Sequence, residues 1–279
     1  MEQNEHIKDK SISVLGCGWL GLPLAGLFVQ QGYRVKGSVT SEEKLEALFD
    51  KGILPYQLTI SDKEINCSDL QGFLESEILV INFPPSRRPD ITTYHPAQIA
   101  LLIQAIEASP VKHVLFISST SVYPDLNREI TEQDIVPATK GSGQALLLAE
   151  NLLLSQTRFT TTILRLGGLI GYDRMPARFL AGKKDVENGD APINVIHQDD
   201  CIGLISALIE QEVWEDIFHA AADEHPTRRI YYTLAAEKAG LEVPTFAEGK
   251  PLCFKIINSD KIKRRLHYTF KHPNPLALL

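Results

Sequence analysis

The sequence predicts an α/β protein in which a doubly wound parallel sheet is accompanied by a smaller mixed α/β lobe. Short aliphatic and β-branched runs alternate with longer segments of helical periodicity as far as Gly171. This alternation is typical of parallel sheets covered by helices on both faces. A glycine-rich turn joins the first strand-like run to the first helical one, and beyond Gly171 the chain becomes rich in glycine, charge and turn residues.

The amino-terminal segment has the pattern of a nucleotide-binding turn. The run SISVLG leads into GCGWLG, the helical pattern LPLAGLFVQQG follows, and YRVKGSV forms a second strand-like run. In such a turn Gly16 permits the tight bend, Gly18 lets a pyrophosphate approach, and Gly21 lets the helix pack closely on the strand. The helix amino terminus favours the anion through its N–H groups and its dipole. The pattern predicts a Rossmann-type dinucleotide site formed by Gly16, Gly18, Trp19, Leu20 and Gly21.

A membrane-directing segment is the alternative interpretation of the same stretch. Lys8 and Lys10 precede an apolar run, and VLGC resembles a lipoprotein cleavage box. Only residues 12–15 would serve as the apolar region, whereas a signal sequence needs roughly 7 to 15 residues. The longer run contains four glycines and a proline and ends after about 18 residues, at the lower limit for a spanning helix. We therefore expect nucleotide binding and no membrane partner.

The end of the second strand bears on the identity of the dinucleotide. An NAD site usually places Asp or Glu about 20 residues beyond the turn, where it holds the ribose 2′-hydroxyl. Here Thr40 and Ser41 occupy that region, and Lys44 follows one helical turn later. Hydroxyl groups and a cation suit a 2′-phosphate, so the sequence favours NADP, with NAD as the alternative. Ser41 is also a candidate cap for the helical pattern EEKLEALFDKG.

Composition and charge narrow the functional class. The 279 residues are 44% apolar and 23% charged, which is enough apolar material for a sizeable core, and the formal net charge is -7. Nucleic-acid binding needs a concentrated basic face, so we expect no nucleic-acid partner. The four cysteines form no CxxC pair, and the histidines show neither HxxxH nor HExxH spacing. We expect reduced thiols, a cytoplasmic protein and no metal.

Strand-like and helical patterns also predict how the chain is divided. The later strand-like runs are ILPYQLTI, SEILVINFPP, VKHVLFISST, FTTTILRL and EDIFHAA, and the main helical patterns are PAQIALLIQAIEASP and GQALLLAENLLLSQ. We predict a nucleotide-binding Rossmann domain over residues 1–165, with a returning segment at about 195–222, and an interleaved substrate-side lobe over 166–279. Ligands of such sheets bind beyond the carboxyl ends of the strands.

Several segments together resemble the short-chain dehydrogenase/reductase superfamily, in its extended branch of NAD(P)-dependent sugar-nucleotide epimerases and dehydratases. They are GCGWLG, VLFISSTSVYP, TEQDIVPAT, ILRLGGLIG, INVIHQDDCIGLI and IFHAAADEHPTRRIYYTLAAEKAGL, in the family's order and over nearly the whole chain. The resemblance implies a cofactor-binding Rossmann domain and a carboxyl-terminal lobe for a nucleotide-linked or similar polar substrate. It also implies that Ser119 or Thr120, after the fifth strand, hydrogen-bonds the reacting oxygen.

The sequence departs from that family at the expected catalytic helix. In the family a Tyr transfers the proton, and a Lys four residues later lowers the pKa of the phenol and holds the nicotinamide ribose. The corresponding segment here reads PATKGSGQALLLAENLL, and no tyrosine in the chain is followed by Lys at the fourth position. Lys140 and Tyr123 are the candidate replacements. The structural alternatives are a solvated lysine at a helix start and a tyrosine that shapes the pocket.

The loop after the fourth predicted strand offers further candidates for the cofactor. In NFPPSRRP, Asn82 and Pro84 would form a rigid wall beside the adenosine and ribose, because proline has a fixed φ. Arg87 and Arg88 suit either a phosphate or a solvated loop.

The lobe contains one local basic cluster, formed by Arg174, Arg178, Lys183 and Lys184. By the family resemblance, Arg174 and Arg178 would bind the diphosphate of a substrate. Pairing with nearby acidic residues is the alternative. The segment HQDD at 197–200 could indicate a metal or acid–base site, but in relatives it is the capped start of a helix, and we favour that interpretation.

These observations predict an NAD(P)-dependent oxidoreductase or epimerase-like protein that acts on a polar small molecule, either nucleotide-linked or of similar polarity. The alternative is a cofactor-binding sensor or regulator without turnover. The missing Tyr and Lys favour the regulator, whereas the retained SSTSVY segment and the substrate lobe favour the enzyme, because a sensor needs neither. A homodimer is compatible with this prediction.

Overall fold

The computed structural model describes residues 10–279, which form twelve β-strands and nine α-helices. The strands are β1 (Ser11–Leu15), β2 (Arg34–Val39), β3 (Leu54–Ile60), β4 (Ile65–Cys67), β5 (Ile78–Ile81), β6 (His113–Ser119), β7 (Arg128–Ile130), β8 (Thr160–Leu166), β9 (Gly168–Ile170), β10 (Val195–His197), β11 (Ile217–Ala220) and β12 (Lys255–Ile257). The helices are α1 (Gly21–Gln30), α2 (Leu45–Phe49), α3 (Leu70–Leu74), α4 (Ile91–Glu107), α5 (Gly141–Leu154), α6 (Ala177–Leu180), α7 (Gln198–Glu210), α8 (Arg228–Lys238) and α9 (Asp260–Leu266).

The main sheet has eight strands in the order β11-β8-β6-β5-β1-β2-β3-β4. β1 pairs in parallel with both β2 and β5, and the parallel pairing continues to β3 and β6, whereas β3 and β4 are antiparallel. From β1 the chain therefore builds the sheet first in one direction and then in the other, with the switch point between β1 and β5. This architecture confirms the predicted doubly wound α/β fold of the Rossmann type.

The central strands of the main sheet are continuous apolar runs. All four residues of β5 are buried, as are the last four of β1, which is the pattern of a strand covered on both faces. Helix α1 buries Leu24, Ala25 and Phe28 on one side, at the spacing of successive helical turns. Helix α4 begins at Ile91, five residues before the Pro96 that opens the predicted pattern, so Pro96 lies inside the helix.

The described residues fall into two compact units. The sheet unit comprises residues 10–118 together with Ala138–Leu164 and Ser206–Ile217, and the C-terminal unit comprises Ser119–Pro137, Arg165–Ile205 and Phe218–Leu279. The division into domains over 1–165 and 166–279 stays a prediction, because a compact unit is not by itself an independently folding domain.

The C-terminal unit contains two small parallel ladders, β9 with β10 and β7 with β12. The side chain of Asn194 donates to the carbonyl of Lys255 (2.9 Å) and accepts from the N–H of Ile257 (2.8 Å), so it fastens β12 in place. A local core forms around Ile170, Val195 and the fully buried Tyr231. In the part of the chain that the structure describes, no helix has both the length and the apolar character needed to cross a membrane.

Candidate functional site

The turn after β1 is held in a conformation that only glycine permits at its first position. Gly16 has a φ of +100°, and a Cβ placed there would lie 2.5 Å from the carbonyl oxygen of Asn82. Its N–H donates to the hydroxyl of Ser38 (3.1 Å), and the next N–H, of Cys17, donates to the carbonyl of Ser38 (2.8 Å). The turn is therefore fixed against the end of β2.

Asn82 braces the same turn from the other side of the switch point. Its side-chain amide donates to the carbonyl of Gly16 (3.0 Å), and its backbone N–H donates to the carbonyl of Leu15 (2.9 Å). Gly21, the first residue of α1, lies so close to the carbonyl of Gly16 that a Cβ would overlap it. This glycine allows the helix to pack closely on the strand. Asn82, the residue that follows β5, holds the turn in place.

The position between these two glycines is open. A Cβ on Gly18 would meet no atom within 4 Å. The first N–H groups of a helix have no partner within the helix, and α1 has ten residues behind its amino terminus. The side chain of Leu20 is buried in the core, so only its backbone is available to a ligand. The turn thus has the space, the donors and the helix dipole that a pyrophosphate requires, and these residues fit a bound dinucleotide.

Among the polar residues that follow β2, Ser41 does not cap a helix, which was the alternative to a role in dinucleotide binding. Ser41 precedes a 3₁₀ turn at Glu42–Lys44, but its side chain makes no capping hydrogen bond. Its hydroxyl donates instead to the carboxylate of Glu43 (3.0 Å). Thr40 and Lys44 are exposed beside it, so two of the three candidate 2′-phosphate contacts face solvent.

Ser119 and Thr120 lie where β6 ends. The hydroxyl oxygen of Ser119 accepts the N–H of Ser121 (3.1 Å), which leaves its O–H available as a donor. Thr120 is 6% exposed and opens a 3₁₀ turn. Ser119 is the more accessible of the two candidates.

Tyr123 belongs to a buried polar cluster in the C-terminal unit. Its hydroxyl accepts a hydrogen bond from Arg165 and is hydrogen-bonded to the Nε2 atom of His219 (2.9 Å). Burial, together with the nearby Arg165 charge, lowers the pKa of His219 to about 3. Sequence reasoning found Tyr123 but missed its partners, because His219 is 96 residues away along the chain.

Helix α5 occupies the segment where the family's Tyr and Lys are missing. Lys140 lies at its N-cap position and is exposed, without a side-chain capping bond. Further along, Glu150 is fully buried and accepts a hydrogen bond from the hydroxyl of Ser118 (2.5 Å). Sequence reasoning missed Glu150, although a glutamate on the apolar face of a helix is a signal for a buried polar contact. Its carboxylate lies beside Ser118, the residue that precedes Ser119.

The two arginines in the loop after β5 have different surroundings. Arg88 forms a bidentate ion pair with Asp90 (2.5 and 2.7 Å) and stacks its guanidinium 3.5 Å from the ring centroid of Tyr94. Arg87 and Pro84 are exposed. Of the two arginines, Arg88 is thus already engaged within its own loop.

The basic cluster of the C-terminal unit is exposed. Arg174 and Arg178 lie on the surface, Arg174 in a turn closed on Gly171 and Arg178 within α6. Lys184 forms an ion pair with the carboxylate of Glu242 (2.5 Å). The role of the two arginines in substrate binding stays a prediction.

The chain resembles known proteins over nearly its full length. No family model matches it. It is 32% identical to Protein YeeZ of Escherichia coli (strain K12) over 275 residues, which covers 96% of this chain and 98% of that protein. Among solved structures, a functionally unknown conserved protein from Silicibacter pomeroyi DSS has a TM-score of 0.77 and 22% identity, with 96% of each chain covered. MoeE5 in complex with UDP-glucuronic acid and NAD has a TM-score of 0.78 and 17% identity, again over 96% of each chain.

The doubly wound sheet and its glycine turn define a Rossmann-type α/β protein, and the solved structures that the chain resembles share this fold. The chain belongs to the same family as Protein YeeZ.

Proposed function

We propose that this protein binds a nicotinamide dinucleotide at the turn between β1 and α1 and acts as an oxidoreductase or epimerase-like enzyme on a polar, nucleotide-linked small molecule. The open position at Gly18 carries the proposal, because it is the point at which a pyrophosphate would meet the backbone. Two structural neighbours support the ligand classes: MoeE5 with UDP-glucuronic acid and NAD, and a UDP-glucose 4-epimerase from Thermotoga maritima with UDP-glucose.

NADP is the proposed dinucleotide. No Asp or Glu occurs at positions 38–41, where an NAD site would hold the ribose 2′-hydroxyl. The exposed Thr40 and Lys44 provide a hydroxyl and a cation for a 2′-phosphate. Glu42 and Glu43 oppose this preference in part, but Glu43 already accepts the hydroxyl of Ser41.

The residues of this chain supply binding, orientation and proton handling. When bound, the dinucleotide supplies the hydride acceptor or donor. Ser119 orients the reacting oxygen through its O–H, with Thr120 as the neighbouring candidate. Lys140 and Tyr123 are the candidates for proton transfer. The hydroxyl of Tyr123 accepts a hydrogen bond from Arg165, which holds the phenol in a fixed position.

A binding protein without turnover is the second candidate function. The observation in its favour is the sequence of α5, GSGQALLLAENLLL, which contains neither the Tyr nor the Lys of the family's catalytic pair. Such a protein would bind the dinucleotide with the same turn and report its redox state.

Turnover with a panel of sugar nucleotides distinguishes the two. The enzyme predicts an absorbance change at the nicotinamide band with at least one substrate, and a fall in rate of about 100-fold in Ser119→Ala at unchanged dinucleotide affinity. Thr120→Val is the companion variant. Tight dinucleotide binding without turnover on any substrate would favour the regulator. Full activity in both variants would remove this pair from the mechanism.

A further inference from the structure

Two imidazoles and one carboxylate converge in the C-terminal unit. His197 ends β10, Asp199 lies in the first turn of α7, and His272 lies in the loop after α9. The Oδ2 atom of Asp199 is 3.4 Å from Nδ1 of His197 and 3.1 Å from Nε2 of His272. One donor atom from each residue lies within 4.8 Å of the other two, and the two imidazole centroids are 4.0 Å apart.

We propose that His197, Asp199 and His272 form a binding site for a divalent cation of the zinc type. Bonds of about 2.0–2.2 Å in a tetrahedral site place neighbouring donor atoms roughly 3.3 Å apart. The two separations at Asp199 agree with that spacing. Imidazole nitrogens favour Zn²⁺ over Mg²⁺ or Ca²⁺, and two histidines with one carboxylate leave a fourth position for water or a ligand.

The carboxylate is oriented by a group outside the three donors. The hydroxyl of Tyr172 donates to Oδ1 of Asp199 (2.9 Å). This contact directs the other oxygen, Oδ2, toward both histidines. Such supporting hydrogen bonds orient ligands in metal sites, and their loss typically weakens metal binding about 10- to 100-fold.

The loop that carries His272 is also held in advance. Asp200, which is 1% exposed, accepts the N–H groups of Lys271 (2.7 Å) and His272 (3.0 Å) and the hydroxyl of Tyr268 (3.1 Å). The backbone of His272 is thereby fixed to α7, one residue from Asp199. A cation would find the donors in place without ordering this loop.

The three side chains are accessible to a cation from solvent, and a metal–ligand bond can replace the hydrogen bond at Nδ1 of His197. The side chain of His197 is 9% exposed, whereas those of Asp199 and His272 are 30% and 27% exposed. Nδ1 of His197 accepts the N–H of Asp199 at 3.2 Å, a long contact that a metal–nitrogen bond would replace. A purely hydrogen-bonded cluster is the competing explanation, and it predicts no stoichiometric metal binding.

Local spacing could not reveal this cluster. His197 and Asp199 are two positions apart, but His272 lies 73 residues beyond Asp199, so no short motif joins them. The expectation of no metal rested on such motifs alone, and the proposal departs from it.

Metal titration of the full chain tests the proposal. The protein is treated with a chelator, and Zn²⁺ binding is followed by calorimetry while Co²⁺ is followed by its visible absorption bands. We expect one equivalent to bind, an affinity at least about 100-fold lower in His272→Asn and Asp199→Asn, and roughly 10-fold lower in Tyr172→Phe. His267→Asn is the matched control, because His267 is exposed with a φ of +50°, which Asn tolerates.

Each outcome decides the question. Absence of stoichiometric Zn²⁺ binding in the wild type overturns the proposal, as does wild-type affinity in His272→Asn or an equal loss in the control. Circular dichroism of each metal-free variant shows whether it folds. If a ligand variant does not fold, Tyr172→Phe decides instead, because Tyr172 is 62% exposed and its loss leaves the core intact; wild-type affinity in that variant would contradict the site.

Discussion

At the scale of single residues, substitution of Gly18 distinguishes an effect on protein stability from an effect on dinucleotide binding. A methyl group there meets no protein atom, so Gly18→Ala should fold with a stability within about 1 kcal/mol of the wild type. The same methyl group would obstruct the close approach of a pyrophosphate, so dinucleotide affinity should fall about tenfold or more, roughly 1.4 kcal/mol. Calorimetric titration and thermal unfolding of the same variant measure the two effects.

Gly26→Ala is the matched control for that variant. Gly26 lies within α1, and a Cβ there would make only an ordinary contact with the side chain of Lys51 at 3.7 Å. Alanine in a helix interior is favoured over glycine by about 1 kcal/mol. Dinucleotide affinity should therefore be retained and stability should rise. Equal affinity of Gly18→Ala and Gly26→Ala would contradict a pyrophosphate at this turn.

His219 should contribute to acid sensitivity. Its pKa falls from 6.5 to about 3 in the folded protein, so between these values the unfolded chain binds a proton that the folded protein does not. Stability should therefore decrease as the pH falls through this window, by up to about 1.4 kcal/mol per pH unit from this group. Urea unfolding from pH 6.5 downward measures the slope, which should be smaller in His219→Gln. Identical slopes in the two proteins would contradict the assignment.

At the scale of elements, the sequence predicts those whose pattern is local. The long apolar strands and helices α1 and α5 follow from their own periodicity, so their positions agree with the predicted patterns. The three-residue strands β7, β9, β10 and β12 exist only through pairing with partners distant in sequence, and nothing within three residues specifies such a partner. The early start of α4 was missed because Pro96 resembles a first helical residue, although it lies in the second turn.

The end of β2 and the turn after it should set the choice of dinucleotide. Replacing Thr40, Ser41 and Lys44 together by Asp, Ala and Ala introduces the acid of an NAD site and removes the exposed cation. The preference should change from NADP to NAD, as measured by the ratio of the two dissociation constants. A ratio that stays the same would show that the 2′-phosphate is recognised elsewhere.

Asp200 should control the order of the loop after α9. Asp200→Asn replaces one acceptor oxygen by a donor, so at least one of the three groups that donate hydrogen bonds to Asp200 loses its partner, at a cost of about 1–3 kcal/mol. Amide exchange at Lys271 and His272 should become faster. Asp260→Asn, at an exposed carboxylate of α9, is the control. Unchanged exchange at both amides would contradict the anchoring role.

At the scale of the whole molecule, the candidate site was predictable where its residues are neighbours in sequence. The geometry of the turn from Gly16 to Gly21 could be predicted, because the spacing of its glycines is local to the sequence; its role in binding a dinucleotide stays a prediction. The contacts of Tyr123 with Arg165 and His219, and of Ser118 with Glu150, depend on the folded chain, since they join residues 32 to 96 positions apart. The same reason hid the cluster of His197, Asp199 and His272.

The most direct test of the account is calorimetric titration of the nucleotide-free protein with NADPH, NADP⁺, NADH and NAD⁺. The account predicts binding at one site per chain, with the NADP forms bound more tightly than the NAD forms. Binding of none of the four would contradict it, because the glycine turn would then serve the fold alone.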